Sequence, residues 1–369
     1  MKKNEQEIGA SCRLGRVGGE AVIEGVMMRA GNRYSLATRM EDGSIKLSDH
    51  EYHSLRKKNK FFNIPLVRGV VSLIESFKLS FHVLSLSAEA LGIDESEPET
   101  KFEKWLQKTF GDKLMNFIMG IAGVLGVALG LFLFLFLPSL AAKGVAALLG
   151  LIGVTLPAFA FSLIEGVFKM LIFISYMLLV SQMKDIRRTF EYHGAEHKSI
   201  ACYESGDELT PENAAKHTRF HPRCGTSFIF VMLFISILIA MLPFVPTENL
   251  LLRLAIKLPL IPVICGLGFE FILYAGKHDN KLTRVLSAPG LWMQRITTRE
   301  PDLSQLEIAI TALKSAMPEE FDHEQLLAFV ESTKPQPETP AEAETEAQTD
   351  ADPSTEAVEP TAPDSPNAP

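Results

Sequence analysis

The chain has 369 residues, 47% of them hydrophobic, with 36 Lys+Arg against 44 Asp+Glu and a formal net charge of −8. That balance gives no sign of a nucleic-acid partner, and four scattered cysteines exclude a disulfide framework. The mean hydropathy of +0.15 averages polar ends with an apolar middle between about Leu114 and Gly276.

Residues 1–17 read as a polar, flexible lead-in without the apolar core of a cleavable signal peptide. Residues 18–64 read as a small β-containing unit. Its first strand is EAVIEGVMMR, flanked by Gly18-Gly19 and holding Gly25. Arg33 to Met40 alternates, with Tyr34, Leu36, Thr38 and Met40 on one face, and Ile45 to Leu47 continues the pattern. The Asp42-Gly43 turn between them supplies the positive φ of a hairpin. From Pro65 the period changes. Leu66, Val70, Leu73, Ile74, Phe77, Phe81 and Leu84 recur at helical spacing, interrupted by Arg68, Glu75, Lys78 and His82. Residues 65–91 therefore read as an amphipathic helix on a partner or a membrane surface, or as a buried soluble helix, not as a span. The charged stretch 92–113 reads as a cytosolic connection.

Four segments approach the roughly 20 apolar residues a bilayer core requires: 114–137, 160–181, 226–246 and 256–276. Pro138 and Pro157 bracket 138–159, which reads as re-entrant or interfacial. Lys101, Lys104, Lys108 and Lys113 precede the first span, and Lys277, Lys281 and Arg284 follow the last. The 182–225 loop is also basic at both ends, while the opposite loops carry only Lys143, Arg253 and Lys257. Positive residues stay inside, so both termini and this loop are expected in the cytosol. Glu165 and Lys169, four apart, are expected to pair or to snorkel. Glu270 lies deeper and has no partner that the sequence names. Residues 277–332 read as a cytosolic helical region. The Pro/Glu/Ala/Thr-rich tail, 333–369, is too polar to bury a core and is expected to be disordered.

The chemistry concentrates in the 182–225 loop. Four of the nine histidines and two of the four cysteines lie between His193 and Cys224. A helix over Ile186–Tyr203 puts His193 and His197 on one face, where two imidazoles share a metal. Glu196 completes the H-x-x-E-H order in which a glutamate acts as general base. A second short helix starts at Thr210-Pro211. The third ligand comes from His221, Cys224, His217, Cys202 or Glu204, with His221 preferred and Cys224 next, both just before the third span. In a reducing compartment the cysteines are thiols or ligands.

At these residues the chain resembles the YqhQ family of bacterial membrane proteins, described as predicted metal-dependent enzymes. The resemblance rests on GGEAVIEGVMMR at 18–29, YHGAEHK at 192–198, HPRCGTSF at 221–228 and SAPGLWMQRITTREPD at 287–302. It covers roughly residues 15–315 and excludes the acidic tail. It implies a polytopic protein of the bacterial cell membrane and a metal, and its blocks contain His193, Glu196, His197, His221 and Cys224. His217 lies outside them.

The expected fold is mainly α: a polytopic helical membrane protein with about four transmembrane helices, a small β-containing N-terminal unit and a cytosolic helical C-terminal region. The leading function is a zinc-dependent hydrolase at the cytosolic membrane face, in contact with lipids. His193, His197, His221 and Cys224 are the candidate ligands and Glu196 the catalytic base. The alternatives are a membrane transporter or metal sensor, with Glu270 on a pathway, and a membrane scaffold with a structural metal.

Overall fold

The structure is a computed structural model that describes residues 13–92, 112–245, 249–275, 278 and 280–335. Residues 1–12 of the lead-in, nearly all of the 92–113 connection and the tail beyond 335 lie outside the described residues.

Four strands form an antiparallel meander: β1 (Val17–Val22), β2 (Gly25–Ala30), β3 (Arg33–Arg39) and β4 (Ile45–Glu51). EAVIEGVMMR is a hairpin, not one strand. Val22 stands opposite Gly25, and Ile23–Glu24 make the turn. Glu24 takes φ +50°, which a non-glycine residue adopts at some cost. Arg188 and the Tyr192 hydroxyl (3.2 Å) both donate to its carboxylate and fix the turn. A Cβ on Gly25 would stand 2.5 Å from the Ala37 carbonyl, so a bare glycine lets β2 close on β3. The second hairpin turns where Asp-Gly requires it, with Gly43 at φ +82°.

Ten helices longer than one turn follow among the described residues. They are α1 (Val67–Ala90), α2 (Asp112–Leu131, continued by Phe132–Phe136 and Leu137–Leu151), α3 (Ala158–Val180), α4 (Lys184–Ser205), α5 (Pro211–Ala215), α6 (Gly225–Ala240), α7 (Leu250–Ala275), α8 (Lys281–Thr297), α9 (Leu303–Ala316) and α10 (His323–Ser332). One face of the sheet, with Val26, Met28, Ala37 and Ile45, packs on α4 and α9 through Ala195, Ile200, Leu306 and Ile310. The other face, with Val22, Met27, Tyr34 and Leu36, packs on Leu79, Val83 and Leu86 of α1. Alternation in the strands thus serves two cores, one on each side.

Among the described residues, four helices are long and apolar enough to cross a membrane: α1, Ile121–Leu151 of α2, α3 and α7. The chain is a mainly α-helical membrane protein with a small N-terminal sheet. The set of four differs from the sequence reading in three ways. Helix α6 has 16 residues, short of the roughly 20 a bilayer core requires. Helix α1 qualifies by length and hydropathy, yet one face lies on the sheet while Ile74, Phe77, Phe81 and Leu84 are exposed on the other. Helix α2 does not stop at Pro138. It widens to a π-helix over Phe132–Phe136 and continues to Leu151. Pro138 has no N–H to donate and crowds the preceding turn; the wider turn accommodates it, with Ser139 Oγ 3.0 Å from the Leu135 carbonyl.

Glu165 neither snorkels nor forms an ion pair with Lys169. It is 1% exposed, accepts from Arg253 (Nη2 at 2.6 Å) and Lys257 of α7, and receives the Ser139 hydroxyl. Arg253 and Lys257, counted from sequence as loop charges, lie one turn apart in α7 and face inward. Glu270 accepts from Arg68 and from the Leu66 amide, where Gly69 and Gly266 bring α1 against α7. Removing one member of a buried ion pair strands its partners. Glu165→Ala is therefore expected to destabilise the protein by about 3–5 kcal/mol, read as a lowered thermal unfolding midpoint in detergent. An unchanged midpoint would contradict this.

Candidate metal centre

Helix α4 carries most of the site. It begins after Met183 and ends where Gly206, at φ +83°, takes the left-handed cap conformation. Its inner face, from Tyr192 to Tyr203, is buried against the sheet and α9. Gly194 sets the depth of that packing: a Cβ there would fall 1.9 Å from the Arg299 carbonyl oxygen. The backbone after α8 therefore runs directly against α4, where the Arg299 amide donates to the Phe190 carbonyl at 2.8 Å. Helix α5 starts as its sequence requires, with Thr210 Oγ1 accepting from the Asn213 amide at 3.2 Å. Cys224 is the N-cap residue of α6.

His193, His197 and Cys224 each direct a ligand atom to one point, all within 4.8 Å of one another. His193 Nδ1 donates to the Thr297 carbonyl at 2.8 Å, and His197 Nδ1 donates to the Arg219 carbonyl at 2.5 Å. A carbonyl only accepts, so these bonds place the protons on Nδ1 and leave Nε2 as the lone-pair nitrogen of each neutral ring. His193 Nε2 lies 3.3 Å from Cys224 Sγ, and the two imidazole centroids are 4.4 Å apart. Burial pulls His197 below the ordinary histidine value, which keeps it neutral. Burial opposes ionisation of the Cys224 thiol. The neighbouring His197 and Thr226 outweigh that and hold it below the usual thiol range.

Glu196 stands beside this cluster, 5% exposed. Burial pushes its carboxyl up to about 8, with the neighbouring Cys224 and Glu20 acting in the same direction and His193 and the Gly19 amide against it. Strand β1 makes this contact. A Cβ on Gly19 would lie 2.9 Å from Glu196 Cγ, so glycine lets the strand reach the helix. Glu20 is also raised by burial, against the Ser80 hydroxyl bond (2.7 Å) and His193.

The other candidate ligands are engaged elsewhere. The His221 ring centroid is 5.5 Å from that of His197, but its Nε2 faces Glu204 (3.8 Å) and Arg223 (3.3 Å). The sequence ranked His221 above Cys224; the structure places Cys224 with the two histidines and His221 outside that trio. Burial raises Glu204, but the nearby His221 and bonds from the Gly15 amide and Arg223 outweigh this and hold it at about 2. His217 pairs with Asp207 at 2.9 Å. Cys202 is in the core, where burial pushes its thiol up to about 11.

Several contributors carry no side-chain signal in the sequence. Thr297 and Arg219 act through their carbonyls, and Gly19 by having no side chain. Gln294 is different: Nε2 donates to the His221 carbonyl and Oε1 accepts from the His221 amide, both at 2.8 Å. Thr297 and Gln294 lie in the SAPGLWMQRITTREPD block, which the sequence offered only as a mark of resemblance.

Two outcomes follow. In metal-free protein the raised Glu196 carboxyl holds a proton that the unfolded chain releases near 4.5. Between that value and about 8 the folded state binds more protons, so its stability falls as pH rises. Thermal unfolding of chelator-treated protein across this window should show that slope, and Glu196→Gln should flatten it. Gly194→Ala should separate α4 from the Arg299 backbone and lower the unfolding midpoint; a neutral result would contradict the packing described.

The family model that matches the chain is described as "Protein of unknown function (DUF1385)" and covers residues 64–319. The chain is 34% identical over 305 residues to the "Uncharacterized protein YqhQ" of Bacillus subtilis (strain 168), spanning 81% of this chain and 92% of that relative. No solved structure matches the chain. With the four sequence blocks and an apolar helical middle, these likenesses show that the chain belongs to the YqhQ family, described as DUF1385, whose function is unknown.

Proposed function

We propose that His193 Nε2, His197 Nε2 and Cys224 Sγ hold a divalent metal, zinc by donor type, and that the protein is a metal-dependent hydrolase at the cytosolic face of the cell membrane. One observation carries this reading. Both imidazoles spend Nδ1 on backbone carbonyls, which turns both Nε2 lone pairs toward the same thiol. Such outer bonds fix the tautomer and orientation of ligating histidines. Two nitrogens and one sulfur suit zinc, and three protein ligands leave a position open. A bound zinc supplies Lewis acidity and makes water more acidic.

The chain's own residues account for the rest. In hydrolysis a water oxygen adds to the electrophilic atom, a proton leaves that water, and the same proton reaches the departing group. Glu196 adjoins the cluster and takes and returns that proton at its carboxylate oxygens. His193, the least buried of the three candidate ligands, marks the side from which substrate enters. The cytosolic placement rests on the basic residues that flank the membrane segments. A reducing cytosol keeps Cys224 a thiol available for binding.

A structural metal is the second reading. The near-complete burial of His197 and Cys224 favours it, because a closed centre there fastens α4 to the start of α6. The transport reading has less support, since Glu270 is paired with Arg68.

Elemental analysis of tag-free protein in mild detergent separates these readings. About one zinc per chain is expected in wild type and none in His193→Ala/His197→Ala. Glu196→Gln should keep the metal and lose about 10²–10⁴-fold of hydrolysis on a panel of esters, amides and lipid-linked compounds. Glu196→Gln with unchanged hydrolysis would leave the structural reading. Wild type without metal after reconstitution under reducing conditions would overturn both.

A further inference from the structure

A second feature lies away from the His/Cys cluster. A cavity of about 270 Å³ opens among α2, α3, α6 and α7. Its walls are almost wholly apolar, with Leu131, Phe134, Met232 and Ile264 among them, and among the described residues the charged side chains that reach it are Lys169 and Lys257. Lys257 is engaged by Glu165. Lys169 is different. It lies near the middle of α3, is 5% exposed, and its Nζ donates to Ser236 Oγ at 3.1 Å. That bond uses one of three ammonium N–H groups. Glu165, one turn away on the same helix, has its oxygens on Arg253, Lys257 and Ser139.

Glu165 attracts Lys169 from one turn away but forms no salt bridge with it, since its oxygens are bonded elsewhere; a buried ammonium so weakly compensated is costly, and ionisable groups inside membrane helices mark binding paths by default. An apolar cavity with one ammonium on its wall outside a salt bridge has the shape of a site for an alkyl chain that ends in an oxyanion. We propose that it binds an anionic amphiphile, with the chain against α2, α6 and α7 and the oxyanion on the free N–H groups of Lys169. A carboxylate and a lipid phosphate offer the same chemistry to this lysine. The site is separate from the metal centre: Ser236 follows Cys224 by twelve residues, about 18 Å along α6. It stands whether or not the hydrolase reading holds.

The test uses full-length protein in detergent and native mass spectrometry with oleate, phosphatidic acid and uncharged monoolein. Wild type should retain an anionic ligand at least about tenfold more strongly than monoolein. Retention of oleate alone identifies a fatty acid, and of phosphatidic acid alone a phospholipid; either supports the site. Lys169→Met should weaken retention by about tenfold or more while thermal unfolding confirms its fold. Ile264→Trp, which fills the cavity and leaves Lys169 in place, should abolish it. No retention by wild type, equal retention of monoolein, or wild-type retention by Lys169→Met would overturn the proposal.

Discussion

Two backbone carbonyls decide what the histidine cluster can do. Without the acceptors at Thr297 and Arg219, either nitrogen of each imidazole is free to carry the proton and the rings are free to turn. With them, both rings present Nε2 inward, beside Cys224. The requirement then passes to whatever holds those carbonyls. Thr297 closes α8, and α8 is seated on α6 at Gly290, where a Cβ would fall 2.6 Å from Ser227 Cα. Arg219 lies in the loop after α5, and Gln294 clamps the neighbouring His221 backbone. The centre depends on three separated stretches of chain meeting at the end of a short apolar helix.

That helix also joins two environments. Its first residues border Cys224, and its far half borders the buried Glu165–Arg253–Lys257 group through Ser236 and Ala240. Charges inside membrane helices are expensive, and here one carboxylate binds α3 to α7 while a hydroxyl from α2 joins it. The N-terminal sheet completes the arrangement. It is clamped between α1 and the α4–α9 layer, and it delivers Gly19 and Glu20 to the flank of Glu196.

Much of this was legible where a periodic signal existed. The i, i+4 spacing of His193 and His197 put them on one face of a helix, and α4 differs from the sequence reading by two residues at each end. The second hairpin and the start of α5 followed from Asp-Gly and Thr-Pro. Elsewhere the deciding contacts were long-range or belonged to the main chain. Nothing local reveals that Ile23–Glu24 is a turn held by Arg188 and Tyr192. Nothing local turns His221 toward Glu204 rather than toward His197. Arg253 and Lys257 read as loop charges because their partner lies 88 and 92 residues away. Pro138 read as a helix end because sequence does not show that one widened turn absorbs it.

The proposed centre treats His193, His197 and Cys224 as one donor set. Zinc-edge X-ray absorption on purified, zinc-loaded protein tests it most directly. Two nitrogen scatterers at about 2.0–2.1 Å and one sulfur at about 2.3 Å are expected, with the sulfur shell lost in Cys224→Ser. A zinc shell without sulfur, or one unchanged by that substitution, would contradict it.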